Sequence, residues 1–122
     1  MQEFSNEEID ALGLQIGCKV KVERLRRGLS QGDLGLMFGS NGTTVGRIER
    51  YESSTSWTNL LKVCQLLELD FHSLFFLQPL ELVLSIIKEC VSLEKKLTAQ
   101  KELYYINLEI AAKEKFSKLK SR

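Results

Sequence analysis

The chain has 122 residues, 43% hydrophobic and 27% charged, with a net charge of +1. One Pro and eight Gly leave little room for a disordered linker. No apolar stretch reaches the ~18–20 residues of a membrane span, and no basic segment leading into an apolar run marks a signal peptide. The charge is unevenly placed: residues 1–12 sum to −4, residues 13–62 to +4 and residues 63–122 to +1. The basic excess thus falls in the middle segment, where a phosphate-facing surface would need it, although a solvated face would look the same.

The pattern reads as helical throughout. Ser5 with Glu8 forms a capping box that opens a short first helix through Ile9 and Leu12. Gly13 and Gly17 weaken the run, and a second helix is expected from about 15 to 27, ended by Gly28. Ser30 caps a helix through Leu34 to Phe38, with Asp33 in its first turn. Gly39 stops it, and Asn41 caps the next, through Val45 and Ile48 to about Arg50. After a polar loop at 53–56 come a helix from about Thr58 to Leu67 and a short one from Asp70 through Leu74.

Pro79 stands at an N1 position, and from Leu80 onward neither Gly nor Pro interrupts the chain. Val83, Ile86, Cys90, Leu93 and Leu97 follow the 3–4–3–4 spacing of a coiled-coil seam. Beyond Leu97 the apolar residues shift to Leu103, Ile106 and Ile110, which signals a stutter, a change of partner or a break near Thr98. A long C-terminal helix pairing two copies is expected; the alternative is a hairpin folded back on its own domain. The expected divisions are a helical arm at 1–13, a DNA-binding domain at 14–78 and a dimerisation segment at 79–122.

Cys18, Cys64 and Cys90 lie among apolar neighbours and read as buried thiols of a cytoplasmic protein. No pair has metal-ligand spacing and His72 has no partner in sequence, so neither metal nor cofactor is expected. With no Gly-rich phosphate loop and no base near a cysteine, an enzyme is the weakest class, and no small-molecule pocket is evident.

Residues 30–52 read SQGDLGLMFGSNGTTVGRIERYE. Leu34, Phe38, Val45 and Ile48, with Gly39 at the turn, have the offsets that two short crossing helices need to pack. The stretch 16–69 resembles the phage-repressor (Cro-like, Xre-like) helix-turn-helix family. The resemblance is carried by Val20 and Arg24, Leu29-Ser30-Gln31, Leu34, Gly39, Thr44-Val45, Arg47-Ile48-Glu49-Arg50, and Leu60, Leu61, Val63 and Leu67.

That resemblance implies an all-α, five-helix lambda-repressor-like domain that binds double-stranded DNA, probing the major groove with its third helix. It implies base contacts from Asn41, Thr43, Thr44 and Arg47, phosphate contacts from Gln31, Arg50 and Ser54, and a structural pair of Arg24 with Glu49. Two such domains about one helical turn apart (~34 Å) would read a two-part site, with the tail joining them as a homodimer. A dimeric transcriptional regulator is the leading expectation. The alternative is a protein–protein interaction module, antitoxin-like or a scaffold, using the tail. Gly42 and Gly46 depart from the family, which carries larger polar residues there. Tyr51 replaces a frequent Gly, as a cap or a phosphate-contacting hydroxyl, and Trp57 is expected in the core.

Overall fold

A computed structural model describes residues 4–52 and 56–119; among these, six α-helices and one 3₁₀ helix are present and no strand. The Ser5 hydroxyl accepts the Glu8 N–H at 3.1 Å and the Glu8 carboxylate accepts the Ser5 N–H at 2.8 Å, so the capping box starts the chain's first helix. That helix, α1, spans Asn6–Arg26 without a break. The expected break near residue 13, between a short first helix and a second, is therefore absent. The two glycines do not end the helix because burial on two sides stabilises it more than the ~1 kcal/mol each glycine costs. Ala11, Leu14, Cys18 and Val22 line one side, and Val20 lies in a second core. Gly28, at φ +70°, closes α1 in a Schellman turn: Leu29 N–H donates to Arg24 C=O and Gly28 N–H to Leu25 C=O.

Helices α2 (Gln31–Met37), α3 (Gly42–Glu49) and α4 (Trp57–Leu67) follow, and then a 3₁₀ helix at His72–Phe75. Leu34, Val45, Ile48, Leu60, Val63, Cys64, Leu67 and Leu74 gather with Val20 into one apolar core. The buried Gln15 amide holds the chain after the 3₁₀ helix: its Nε2 donates to Leu74 and Phe76 carbonyls, and its Oε1 accepts the Gln78 N–H at 2.7 Å. Trp57 lies outside the core, 68% exposed. Its spacing matches the stripe of Leu60, Cys64 and Leu67, but as the first residue of α4 it stands beyond the end of the packed layer.

The C-terminal segment is two helices, not one. Helix α5 (Leu80–Leu93) begins just after Pro79, which precedes the first helical residue instead of occupying it, and α6 spans Ala99–Ser117. The chain leaves the helical conformation at Glu94 (φ −65°, ψ 127°), and Thr98 caps α6 through the Lys101 N–H. Both helices pack on α1: Val83, Ile87 and Cys90 from α5 and Tyr105, Leu108, Ala112 and Phe116 from α6 meet the α1 stripe. This replaces the expected coiled-coil tail. Of the expected pairing residues, Val83 and Cys90 are buried within the chain, Ile86 and Leu93 are partly buried against the same core, and Leu97 is exposed. One chain thereby satisfies by itself most of the seam assigned to a second copy. The apolar positions change face after Leu97, and a turn there lets α6 return its own stripe to α1.

The three cysteines are free and buried, and burial pushes the thiols of Cys18 and Cys90 up to about 12. No helix among the described residues is long and apolar enough to cross a membrane.

Candidate nucleic-acid interface

Helices α2 and α3 are joined by a short turn whose geometry follows from its sequence. Ser30 and Asp33 form a second capping box, each side chain bonding the other's backbone N–H. Gly39 takes φ +72°, where the Ser40 N–H reaches the Gly35 carbonyl at 2.8 Å and ends α2. Asn41 then caps α3, its Oδ1 accepting the Thr44 N–H at 3.1 Å.

Glycine sets how closely these helices approach. A Cβ on Gly35 would stand 2.3 Å from the Asn41 carbonyl, and one on Gly17 would stand 2.3 Å from the Glu49 carbonyl oxygen. Helix α3 is thus pressed backbone to backbone against both α2 and α1. Gly42 lies against Gly32, where a Cβ would come within 3.1 Å of its nitrogen, and Gly46 is buried beneath the Arg50 guanidinium. Gly42 is therefore a packing position against the α2 backbone, whereas the nearest atom at Gly46 belongs to the far end of the flexible Arg50 side chain, and α3 forms in spite of both glycines.

A buried polar network fixes the rear of α3. Arg24 Nε and Nη2 donate to the two Glu49 carboxylate oxygens at 2.6 and 3.1 Å, and Nη1 donates to the Leu29 carbonyl at 2.7 Å. Gln31 Nε2 donates to Glu49 Oε1 at 3.0 Å, and Lys21 Nζ stands 3.6 Å from the same oxygen. Burial would lower the Arg24 pKa, but the Glu49 hydrogen bonds and charge reverse this and hold it above its ordinary value. A bidentate pair whose third guanidinium nitrogen is also hydrogen-bonded is the arrangement in which a buried ion pair is tolerated.

The residues assigned to DNA divide into two groups. Thr43 and Arg47 are exposed on α3, and among the described residues the Arg47 guanidinium makes neither a hydrogen bond nor an ion pair. Asn41, although exposed, commits its oxygen to the helix cap, and the half-buried Thr44 hydroxyl accepts from the Ser40 hydroxyl at 2.8 Å. Gln31 is drawn into the Glu49 network, and Arg50 Nε pairs with Glu52 at 2.9 Å. Ser54 lies outside the described residues. Arg24, Gln31 and Glu49 are brought together; Val83, Ile86, Cys90 and Leu93 sit against the α1 core instead, and Leu97 is exposed.

Two features escape a reading by elements. Lys21 links α3 to the tail: its ammonium faces the Tyr104 ring at 4.9 Å and the Tyr105 ring at 5.5 Å as well as Glu49. Tyr51 takes φ +50° as the residue that closes α3, with its N–H on the Ile48 carbonyl and the Glu52 N–H on the Arg47 carbonyl. Its ring packs toward the α1–α5–α6 core, with Lys115 Nζ 5.6 Å from the centroid. The frequent family glycine at this position was the available signal.

Among the described residues no group of three or more His, Cys, Asp or Glu could hold a metal ion. No family model, no curated protein and no solved structure matches the chain. The resemblance to phage repressors therefore rests on the residues themselves.

Proposed function

We propose that the chain is a sequence-specific double-stranded DNA-binding protein of the repressor-like helix-turn-helix type, acting in transcription regulation, with α3 entering the major groove. The observation that carries this reading is a recognition helix locked from behind by Arg24 and Glu49 while Thr43 and the unpaired Arg47 face outward. An unpaired guanidinium on a rigid helix suits the O6 and N7 of guanine, and a threonine methyl suits thymine. Because Asn41 and Thr44 are engaged in capping, base reading falls chiefly to Thr43 and Arg47, with Arg50 and the Gln31 amide edge toward the backbone.

Homodimerisation remains part of this proposal on a different surface. Leu103, Ile106 and Ile110 form an exposed apolar stripe at i, i+3, i+7 on α6, each more than half exposed. That stripe also favours the second reading, a protein–protein module, since such a face in water invites a partner of either kind. Sedimentation of the wild type and Ile106→Glu separates them: a wild-type dimer made monomeric by the substitution supports self-pairing.

The decisive test is fluorescence anisotropy on a random-sequence duplex across a salt series, comparing wild type with Gln31→Ala/Arg47→Ala. Steeply salt-dependent binding that the double substitution weakens by about 1–3 kcal/mol is expected. Absence of wild-type binding at low salt overturns the DNA reading.

A further inference from the structure

We infer that the turn between α5 and α6 is a second duplex-DNA contact, with Lys95 and Lys96 placed against backbone phosphates beside the helix-turn-helix unit. This rests on the DNA-binding reading above. The tail does not stand apart from α2 and α3. Lys95 and Glu94 of the turn, Ser30, Gln31 and Asp33 at the start of α2, and Arg50 after α3 line one cleft of about 670 Å³. The turn thus borders the edge of α2 that faces the sugar–phosphate strand when α3 lies in the groove.

Charge supplies the second argument. Asp33 puts a carboxylate in the first turn of α2, where it would repel a phosphate. The Ser30 hydrogen bonds hold the Asp33 carboxyl below its ordinary value, and the Lys95 charge across the cleft adds a smaller push the same way. The other two acids of the cleft are neutralised from within: Glu49 by Arg24, and Glu94 by Lys101 at 3.1 Å. Lys95 and Lys96 are exposed, and among the described residues neither ammonium makes a hydrogen bond or ion pair. The turn therefore offsets the acid on α2 and adds a free cation next to it.

The turn is also held in shape. Glu94 accepts the Tyr105 hydroxyl and the Lys101 ammonium, and Lys101 Nζ further donates to the Lys96 carbonyl at 3.3 Å. Burial pushes the Glu94 carboxyl up, but the Tyr105 and Lys101 hydrogen bonds outweigh it and hold Glu94 below its ordinary value. Little ordering of the turn would then be required on binding.

The experiment compares the salt dependence of duplex binding for the full chain, Lys95→Gln/Lys96→Gln, Arg47→Ala and Lys118→Gln. Lys118 lies by a separate cleft with Glu7 and Asp10, at the opposite end of α1 from the turn. Two lost phosphate contacts lower the slope of log K against log salt by about 1.8, whereas Lys118→Gln leaves it unchanged. If wild type binds and Arg47→Ala weakens it while Lys95→Gln/Lys96→Gln matches Lys118→Gln, this inference falls and the DNA reading stands. If wild type does not bind at all, both fall.

Discussion

Helix α1 carries a core on each side, and the two are made differently. Toward α3 the approach is set by main chain: Gly17 brings the two backbones together, and the paired Arg24 and Glu49 tie the helices beside Val20, Val45 and Ile48. Toward α5 and α6 the space is filled by side chains, Leu14, Cys18 and Val22 against Val83, Ile87, Cys90 and Phe116. The first arrangement specifies position, because backbone contact and a bidentate ion pair tolerate little displacement. The second supplies burial, and an interior of interdigitating aliphatic groups accommodates small changes of volume. On the proposed DNA-binding reading, the first kind stands behind α3 and the second holds the appended hairpin.

Substitutions sharpen this contrast. The largest effect is expected for Glu49→Ala, which leaves the Arg24 guanidinium buried without its partner and costs about 3–5 kcal/mol in denaturant unfolding. An Arg24→Met/Glu49→Leu double substitution that recovers most of this loss would show that the penalty comes from the stranded charge. If Glu49→Ala costs under about 1 kcal/mol, the pair does not organise that side.

Next comes Gly17→Ala, at about 1–3 kcal/mol, since the new methyl would meet the Glu49 carbonyl oxygen and α1 and α3 must separate. On the tail side Ile87→Val is expected to cost about 0.5–1.5 kcal/mol, a single methyl in a side-chain core. A larger loss for Ile87→Val than for Gly17→Ala would invert the comparison. The smallest effect, and of opposite sign, belongs to Gly13→Ala. It lies on the same helix, but its Cβ would meet only Tyr51 Cβ at 3.4 Å, so helix propensity should raise stability by about 0.5 kcal/mol. Thermal melts of Gly13→Ala and Gly17→Ala moving in opposite directions would establish that position, not residue type, decides.

Much of the local structure was legible in the residues. Ser5 with Glu8, Ser30 and Asn41 start helices where their side chains can accept early N–H groups, and Gly28 and Gly39 end them at positive φ. Such signals act over three or four residues and need no knowledge of the rest of the chain. The same local logic misjudged α1, where glycines that weaken an isolated helix serve a close contact with α3. It also misjudged Trp57, whose spacing is that of a core residue but whose place at the helix end leaves it in water.

By itself, then, the sequence determined that the chain is helical, where most of its helices begin and end, and which faces are apolar. Tertiary structure decided what those faces meet. Periodicity shows that Val83 and Cys90 must leave water, but a second copy of the chain and the chain's own α1 offer the same burial. The choice fell to the turn at Glu94, which Lys101 and Tyr105 hold from α6. Tertiary structure likewise set Lys21 between Glu49 and the tyrosines of α6, and brought Lys95 beside α2, more than sixty residues earlier in the chain. Hydrophobic burial is non-directional, so it fixes which residues go inside and leaves their partners to be selected by turns, close contacts and paired charges.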